Sequence, residues 1–379
     1  MARKGGPPDG RPCHFNLISL TAMKDYNLAV LVGDGIGAEV VPAALDVLRR
    51  VAEVHSSFRF HKQEFDWGSA RYLREGAMMP SDGIPQLERG GFDAILLGPV
   101  GDPRVPDHIT LWGLLLPIRQ GFDQYINLRP MRLLEGIRTP LAGKTPKDID
   151  MVCVRENAEG EYAGVGGRVH RGTETEVAIQ SCVHTRRGTE RVIRYAFEYA
   201  RANKRKKVTS ATKSNAMQYN MVFWDDVFAA VAADYKDIAH EQQLVDSLTA
   251  RFVSKPESLD VVVASNLFGD ILTDLGAAIS GSMGIAPSAN LNPERKYPSL
   301  FQAIHGSAPD IMGKGIASPL GTVWSTQMML EHLGESDAAA ALMKAIEEFA
   351  AKSAVKTPDL GGKASTREVT DALCRLILG

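Results

Sequence analysis

The segment LDVVVASNLFGDILTDLGAAISGSMGI, residues 259–285, joins a short apolar run to a stretch that carries two aspartates. Its first eight residues are mostly apolar and β-branched, which predicts a buried parallel strand. Asp270 and Asp274 follow four residues apart, and if this part forms a helix both carboxylates lie on one face. Open α/β sheets bind ligands at the carboxyl ends of their strands. The segment therefore predicts an α/β fold with two acids near a ligand site.

Two uses of Asp270 and Asp274 are open at this point. Their oxygens would make half of a site for a hard cation such as Mg²⁺. Acidic side chains also commonly complement the positive N-terminus of a helix. The segment alone does not decide between a metal site and a helix-stabilising role.

The same alternation of strand and helix recurs upstream. Residues 27–54, NLAVLVGDGIGAEVVPAALDVLRRVAEV, predict a strand, a glycine turn and a helix with apolar positions 40, 44, 47, 48 and 51 on one side. The glycine spacing is G-x-G-x-G rather than G-x-G-x-x-G, and no acidic residue ends a second strand about 20 residues later. This pattern excludes a Rossmann dinucleotide fold. Residues 92–101 predict a further strand that ends in glycines, and residues 191–203 a helix.

Composition limits the classes of function. The chain has 379 residues, which favours two domains, and its 43 Lys and Arg nearly balance its 45 Asp and Glu. That balance argues against nucleic acid or a membrane as partner. The four cysteines lack C-x-x-C spacing and the nine histidines lack H-E-x-x-H, so neither zinc nor a disulfide framework is indicated. We expect a cytoplasmic protein with a disordered N-terminal extension, residues 1–26.

Residues 266–285 resemble the signature of the β-decarboxylating dehydrogenases, the family of the isopropylmalate, isocitrate, homoisocitrate and tartrate/D-malate dehydrogenases. The turn GDGIG-x-E, residues 33–39, also resembles that family, and the similarity covers about residues 27–335. It implies an α/β, two-domain, isopropylmalate-dehydrogenase-like fold with a large mixed sheet flanked by helices. In that arrangement residues 27–124 and 281–379 form a large domain with the cofactor site. Residues 125–280 form a smaller domain with metal, substrate and dimer contacts.

Three arginines occur in sequences that resemble the family: Arg119 in LLLPIRQGFD, Arg129 in NLRP and Arg155 in VRENAEGEY. A single arginine is more often part of a surface ion pair. Guanidinium groups bind carboxylates through two parallel hydrogen bonds and stay charged, so three of them suit a dicarboxylate substrate. The resemblance implies that all three bind substrate.

The resemblance also implies the groups that carry out the reaction. Lys213, in TSATKSN, would serve as the base for the substrate hydroxyl or relay to it, and Tyr162 would protonate the enol carbon after carbon dioxide leaves. Asp246 would join Asp270 and Asp274 in binding Mg²⁺ or Mn²⁺. Lys213 and Asp246 would reach the site from the other subunit of a homodimer. Without the resemblance, a surface lysine and a core tyrosine would be the simpler interpretations.

The segment HGSAPDI, residues 305–311, resembles the adenosine-binding loop of the family. Asp310 would accept hydrogen bonds from the ribose hydroxyls of NAD and repel the additional phosphate of NADP; alternatively it is only a turn residue after Pro309. The chain departs from the common pattern at Pro99, Gln302 and Ser318. The predicted cofactor-binding residues are His305, Gly306, Ser307, Ala308, Asp310 and Ser318.

The sequence before Arg119, VPDHITLWGLLLPIRQ, looks most like tartrate/D-malate dehydrogenases. Trp112 would fill the space that other members give to a substituent on C3 of the substrate, or it simply packs in the core. The resemblance implies NAD- and Mg²⁺- or Mn²⁺-dependent oxidative decarboxylation of D-malate to pyruvate and carbon dioxide, and oxidation or decarboxylation of tartrate. The alternatives are 3-isopropylmalate dehydrogenase and a non-catalytic regulatory subunit. A regulatory subunit should have lost some of the reacting residues, and none is lost.

Overall fold

The computed structural model describes residues 23–377, and this part of the chain contains twelve β-strands and twelve α-helices. The strands are β1 Lys24–Leu31, β2 Phe58–Phe65, β3 Ala94–Leu97, β4 Ile126–Arg132, β5 Asp150–Glu156, β6 Gly166–Val169, β7 Val177–Gln180, β8 Lys207–Thr212, β9 Ala239–Leu244, β10 Val261–Ala264, β11 Pro287–Leu291 and β12 Ser299–Ala303.

The helices pack on both faces of the main sheet or connect its strands. They are α1 Gly37–His55, α2 Ser69–Glu75, α3 Gly83–Arg89, α4 Asp107–Thr110, α5 Leu116–Gly121, α6 Arg186–Ala202, α7 Asn220–Ala232, α8 Val245–Ser254, α9 Asn266–Ile279, α10 Leu320–Leu333, α11 Ser336–Lys352 and α12 Thr366–Leu376. A π-helical turn, Leu111–Leu115, links α4 to α5. Within residues 23–377, no helix is both long and apolar enough to cross a membrane.

Ten strands form one mixed sheet in the order β2-β1-β3-β12-β11-β4-β5-β10-β8-β9. The outer strands on each side pair in parallel. In the middle, β12, β11, β4 and β5 pair antiparallel with one another. The prediction of an α/β fold with a large mixed sheet is confirmed, and the sheet is not that of a Rossmann fold. The remaining strands, β6 and β7, form a separate two-stranded hairpin.

The central strands of the sheet are buried on both faces. Along β1, Leu28 and Val30 pack into the larger core cluster, whereas Ala29 and Leu31 pack into a smaller one on the opposite face. Successive side chains of a strand point to opposite faces, so an uninterrupted apolar strand requires helices on both sides. This packing explains the uninterrupted apolar runs LAVL in β1 and AILL in β3.

Most predicted elements are present, with shifted ends. The apolar positions predicted for α1 are buried, and β10 is followed by α9 as predicted, although the helix already begins at Asn266, so Gly269 lies inside it. The sequence interpretation missed β2, an edge strand whose residues are mostly exposed. Residues 1–22 of the predicted extension lie outside the described residues, and β1 begins at Lys24, inside the predicted extension. The division into two domains stays a prediction.

Candidate active site

A cleft of about 180 Å³ lies where several elements of the sheet meet. Seven of the predicted site residues line it. His305 and Gly306 belong to the predicted cofactor segment, and the other five are each carried by a different element. Arg119 comes from α5, Arg129 from β4, Arg155 from the end of β5, Tyr162 from the short 3₁₀ turn Glu161–Ala163, and Asp270 from α9.

Asp270 is the acidic centre of the cleft. The Tyr162 hydroxyl donates to its Oδ2 at 3.2 Å, Arg129 Nη1 lies 3.5 Å from its Oδ1, and Arg155 Nη1 also donates to Oδ1. Burial acts to raise the pKa of Asp270, but the nearby arginines outweigh it and hold that pKa below its usual value. Asp270 therefore remains ionised at neutral pH.

Asp274 lies one helical turn after Asp270 and is more exposed. Its Oδ1 is 3.8 Å from Arg129 Nη1, so both carboxylates face the same arginine, as expected for positions i and i+4 on one face. Burial, together with the charge of Asp270, raises the pKa of Asp274. Such mutual repulsion favours a cation that would bind both carboxylates.

Arg155 and Arg129 are held by neutral oxygen acceptors as well as by Asp270. Arg155 donates from Nε and Nη2 to Asn266 Oδ1, at 3.0 and 2.7 Å. Arg129 donates from Nε to an amide oxygen of the same strand and from Nη1 to Thr273 Oγ1, both at 2.6 Å. Burial lowers the pKa of Arg129 to about 10, and the charge of Arg155 adds to this effect. Both guanidinium groups are thus fixed in place.

Arg119 differs from the other two arginines because it lacks such partners. Its side chain is only 3% exposed, and its Nε is buried without a hydrogen-bond partner in the described part of the chain. Burial, followed by the charges of Arg155 and Arg129, holds the pKa of Arg119 well below its usual value. A buried guanidinium without partners is costly. The cleft therefore carries an excess of positive charge that suits an anionic ligand.

Gly269 explains how Arg155 reaches the cleft. A Cβ at residue 269 would lie 2.5 Å from Cγ of Arg155, closer than real Cβ contacts occur. The glycine of the NLFGD motif thus lets the arginine stem pass directly over α9. Its role is to allow the close approach of this side chain.

Tyr162 is braced from the opposite wall of the cleft. Gln120 Nε2 donates to the Tyr162 carbonyl oxygen at 3.0 Å, and the Arg155 guanidinium lies 5.6 Å from the ring centroid. Burial, with a contribution from Asp270, raises the pKa of Tyr162. The phenol is therefore protonated at neutral pH and able to donate.

Trp112 lies beside the turn that carries Tyr162. A Cβ at Gly164 would be 3.1 Å from the indole, so the ring packs against this backbone. Trp112 is 39% exposed, which excludes the alternative of an ordinary core residue. Leu111 and Leu115 of the same π-helical turn line the cleft. The role of Trp112 in binding substrate stays a prediction.

Lys213 and Asp246 form a pair of their own. Lys213 follows β8, and its Nζ donates to Oδ1 of Asp246 at 2.8 Å, at the start of α8. This hydrogen bond lowers the pKa of Asp246. Neither residue lines the cleft, and no group of three His, Cys, Asp or Glu side chains within residues 23–377 is placed to hold a metal ion. One chain thus brings together Asp270 and Asp274 but not the third predicted ligand.

The predicted cofactor segment borders the same cleft. His305 and Gly306 line it; His305 Nε2 is buried without a partner in the described residues, and burial lowers the pKa of this histidine. The imidazole is therefore neutral at physiological pH. Ala308 has a φ of 43°, and Asp310 is exposed. Ser318 is buried just before α10, where its Oγ accepts from Leu320 N at 3.5 Å.

Sequence reasoning missed two polar residues of the site, Asn266 and Thr273, which orient Arg155 and Arg129. A signal for the first was present: Asn266 precedes Asp270 by four residues, so a helix places both on one face. Thr273 follows Asp270 by three residues and shares this face as well. The spacing does not reveal which arginine either residue contacts, because Arg155 and Arg129 lie on strands far away in the sequence.

Comparison with known proteins agrees with this geometry. A family model described as isocitrate/isopropylmalate dehydrogenase matches residues 27–373. The D-malate dehydrogenase (decarboxylating) of Escherichia coli (strain K12) is 54% identical over 363 residues, covering 94% of this chain and 99% of that protein. A probable tartrate dehydrogenase/decarboxylase of Agrobacterium vitis is 52% identical over 357 residues, covering 94% and 97%.

Among solved structures, isocitrate dehydrogenase from Methylococcus capsulatus matches with a TM-score of 0.83 and 33% sequence identity, over 93% of this chain and 100% of that one. The similarity in fold extends over the whole mixed sheet and is not confined to the site. Because the family model and these relatives cover almost the entire chain, the resemblance first identified in residues 266–285 is confirmed, and the chain belongs to the isocitrate/isopropylmalate dehydrogenase family.

Proposed function

We propose that this protein catalyses the NAD-dependent oxidative decarboxylation of D-malate to pyruvate and carbon dioxide, and acts on tartrate by oxidation or decarboxylation. The observation that carries the proposal is the buried Arg119 guanidinium, which faces the cleft with Arg129 and Arg155 and forms no ion pair within residues 23–377. A small dicarboxylate supplies the missing negative charges. The names of the most similar relatives support the same substrates.

The arginines bind and orient the substrate. Arg129 and Arg155 are fixed by Asn266, Thr273 and Asp270, so little side-chain order is lost when a carboxylate arrives. Arg119 gains its first ionic partner at that moment. In a cleft of about 180 Å³, the three guanidinium groups fix the positions of both substrate carboxylates. The C2 hydroxyl of the substrate is thereby held in one orientation.

Tyr162 and Lys213 move the protons of the proposed reaction. Lys213 takes the proton of the C2 hydroxyl, directly or through a relay, while the hydride leaves C2. Tyr162 protonates C3 after the bond to the departing carboxylate breaks. The raised pKa of Tyr162, caused by burial and by Asp270, keeps the phenol protonated until then.

The carboxylates suit a hard cation. Asp270 and Asp274 offer oxygen ligands one helical turn apart, and Asp246 of a second subunit completes the set in our proposal. When bound, Mg²⁺ or Mn²⁺ polarises the C2 oxygen and NAD accepts the hydride. The segment 305–310, with Asp310 exposed at its end, would bind the adenosine part of the cofactor, and Ser318 belongs to the same predicted site.

A homodimer with shared sites is part of the proposal. Lys213 and Asp246 lie away from the cleft of their own chain, so they are free to reach that of a second copy. Large apolar side chains are exposed on the β6–β7 hairpin, including Ile179 at 62%, and around α7, with Tyr219 at 84%. Ile271, next to Asp270, is also exposed. In our proposal these exposed apolar residues contact the second copy. The hairpin, α7 and α9 all lie within the proposed smaller domain, residues 125–280.

The cleft also supports a second candidate, 3-isopropylmalate. Part of its wall is apolar, formed by Val100, Leu111 and Leu115, and such a surface could contact a branched alkyl group. A non-catalytic regulatory role has no comparable support, since Tyr162 and Asp270 are in hydrogen-bond contact and Lys213, Asp246 and Asp274 are all retained.

One assay separates these candidates. NADH formation would be followed with D-malate, L-tartrate, meso-tartrate, 3-isopropylmalate and isocitrate, each with Mg²⁺ or Mn²⁺ and after removal of metal by a chelator. We expect the highest kcat/KM with D-malate or a tartrate and no turnover after chelation. A higher kcat/KM with 3-isopropylmalate would replace the proposed substrate, and no turnover with any compound would refute the enzyme assignment. Asp270→Asn should lower turnover at least about a hundredfold.

A further inference from the structure

Asp34 lies in the glycine turn after β1, and its carboxylate is only 8% exposed. Its Oδ1 accepts from Ser69 N at 2.9 Å. Its Oδ2 accepts from Ser69 Oγ at 2.6 Å and from Gly101 N at 2.8 Å. Burying a carboxylate is costly unless hydrogen bonds compensate it, and here the donors are two backbone N–H groups and a hydroxyl. These contacts join three segments that are far apart in the sequence.

The turn and the loop 98–101 pack backbone against backbone. Asp34 N donates to Pro99 O at 2.7 Å. A Cβ at Gly33 would lie 2.3 Å from that same oxygen, and one at Gly98 would lie 1.9 Å from Val32 O. Only glycine fits at positions 33 and 98, so these two glycines allow the contact. The Asp34 side chain then holds the end of the loop at Gly101.

The loop held by Asp34 forms part of the cleft wall and also approaches Ser307 of the predicted cofactor segment. Pro99 and Val100 line the cleft, whereas a Cβ at Gly101 would be 3.5 Å from Ser307 Oγ. The same turn holds the cofactor segment directly, because Ile36 N donates to Ser307 O at 2.9 Å. The turn that contains Asp34 thus positions both the loop 98–101 and Ser307 of the predicted cofactor segment.

We propose that Asp34 is a positioning residue: its carboxylate holds Gly101, and with it the loop 98–101, at the spacing from Ser307 at which the predicted cofactor segment can bind NAD beside the cleft. The inference rests on the proposed function and deepens it. Asp34 is buried and does not line the cleft. Its removal should therefore disturb cofactor alignment and leave the arginine cluster, on α5, β4 and β5, unaffected.

Two variants separate this role from a general effect on folding. In Asp34→Asn the shape is kept, but in either orientation of the amide an N–H group is directed at the backbone N–H of Ser69 or of Gly101. Ser69→Ala is the matched control, because it removes one hydroxyl from the same carboxylate and leaves both backbone hydrogen bonds. Asp34→Ser, whose side chain is too short to reach both partners, replaces the first variant if that one does not fold.

The kinetic constants are measured with NAD⁺ and with D-malate varied separately, after thermal unfolding has shown that each variant is folded. For the Asp34 variant we expect kcat to fall at least about tenfold and KM for NAD⁺ to rise several-fold, because small misplacement of reacting groups is costly in rate. KM for D-malate should stay within about twofold. Ser69→Ala should stay within about threefold of wild type in all three constants.

Two results would overturn the inference. One is a folded Asp34 variant with wild-type constants. The other is a variant in which only the fraction of active enzyme falls, while both KM values and the NAD⁺ affinity measured by calorimetry are unchanged, since that indicates a purely structural role. Failure of the proposed function is distinct, because then the wild-type protein itself would form no NADH.

Discussion

Lys213 Nζ lies 2.8 Å from Asp246 Oδ1, and this pair is separate from the cleft in which the Tyr162 hydroxyl donates to Asp270. The two proton-transfer groups of the proposed reaction thus occupy different surfaces of one chain. In the proposed dimer, one chain supplies the arginines, Tyr162, Asp270 and Asp274 of a site, and the second chain supplies Lys213 and Asp246. Two copies related by a twofold axis would complete both sites at once.

A hybrid dimer tests this sharing. Lys213→Met and Tyr162→Phe should each abolish activity as homodimers. A dimer with one subunit of each kind keeps one site with both groups intact, so we expect about half the wild-type turnover per dimer. The hybrid can be isolated from co-expression of two differently tagged chains. Activity no higher than that of the parent variants would show that all groups come from one subunit.

Arg119→Met should stabilise the protein without ligand while removing its activity. It eliminates a buried charge without partners, so the free energy of unfolding should rise by about 1–3 kcal/mol, and kcat/KM for D-malate should fall at least about a hundredfold. Chemical denaturation and the NADH assay measure the two effects. Arg205→Met is the control, because Arg205 pairs with Asp150 and Asp260 away from the cleft. In this control variant the free energy of unfolding should fall, whereas the activity should persist. A lower free energy of unfolding for Arg119→Met would contradict the conclusion that the charge of Arg119 is uncompensated in the protein without ligand.

Glu156 should make stability depend on pH. Burial raises its pKa to about 7, although Ala158 N and Glu159 N donate to the carboxylate and oppose the shift. A group whose pKa is higher in the folded protein stabilises it most at low pH, and this contribution is lost as the pH rises through the folded-state pKa. The free energy of unfolding of wild type, relative to Glu156→Gln, should therefore fall by about 2 kcal/mol from pH 5.5 to 8. If the free energy of unfolding depended on pH in the same way in both proteins, the raised pKa of Glu156 would be refuted.

Asp310 should determine the choice of cofactor. NAD should be preferred over NADP in kcat/KM by more than about tenfold, because a carboxylate repels the 2′-phosphate. Asp310→Ala should reduce this ratio, whereas Asp337→Ala, an exposed acid in the first turn of α11, should not. Equal use of both cofactors by wild type contradicts the prediction.

Trp112 should influence substrate choice. Trp112→Ala should lower kcat/KM for D-malate through lost packing and raise it for 3-isopropylmalate, by a factor that corresponds to about 1–3 kcal/mol. Because the indole packs against Gly164, part of the loss with D-malate should come from a less firmly held Tyr162 turn. A folded variant with an unchanged ratio of the two substrates would remove Trp112 from the substrate site.

Local sequence was sufficient for the parts of the site that lie within one element. The strand and helix around Asp270 follow from an apolar run and an i, i+4 spacing, and both are present. The convergence of Arg129 with Arg155 is different, since it depends on the antiparallel register of β4 and β5, which places Arg155 opposite Asn127. No periodicity within either strand reveals that pairing, and only the family resemblance suggested it.

Other features were not predictable for similar physical reasons. The edge strand β2 has mostly exposed, polar residues and lacks the apolar pattern of a buried strand. The contacts of Asp34 with Ser69 and Gly101 join loops whose conformations are set by the packing of several glycines. That Arg119 lacks a partner is a property of the assembled cleft.

The central position of β12 in the sheet has a consequence for the newly synthesised chain. β3, with the all-buried sequence AILL, pairs on one side with β1 and on the other with β12, about two hundred residues later. At ribosomal rates of about 5–20 residues per second, β12 is synthesised roughly ten seconds or more after β3, and until then this edge of β3 is unpaired. During that time it is an open template for other strands. We therefore expect nascent chains that stop before residue 299 to aggregate, and any need for a chaperone at this edge to end once β12 has left the ribosome.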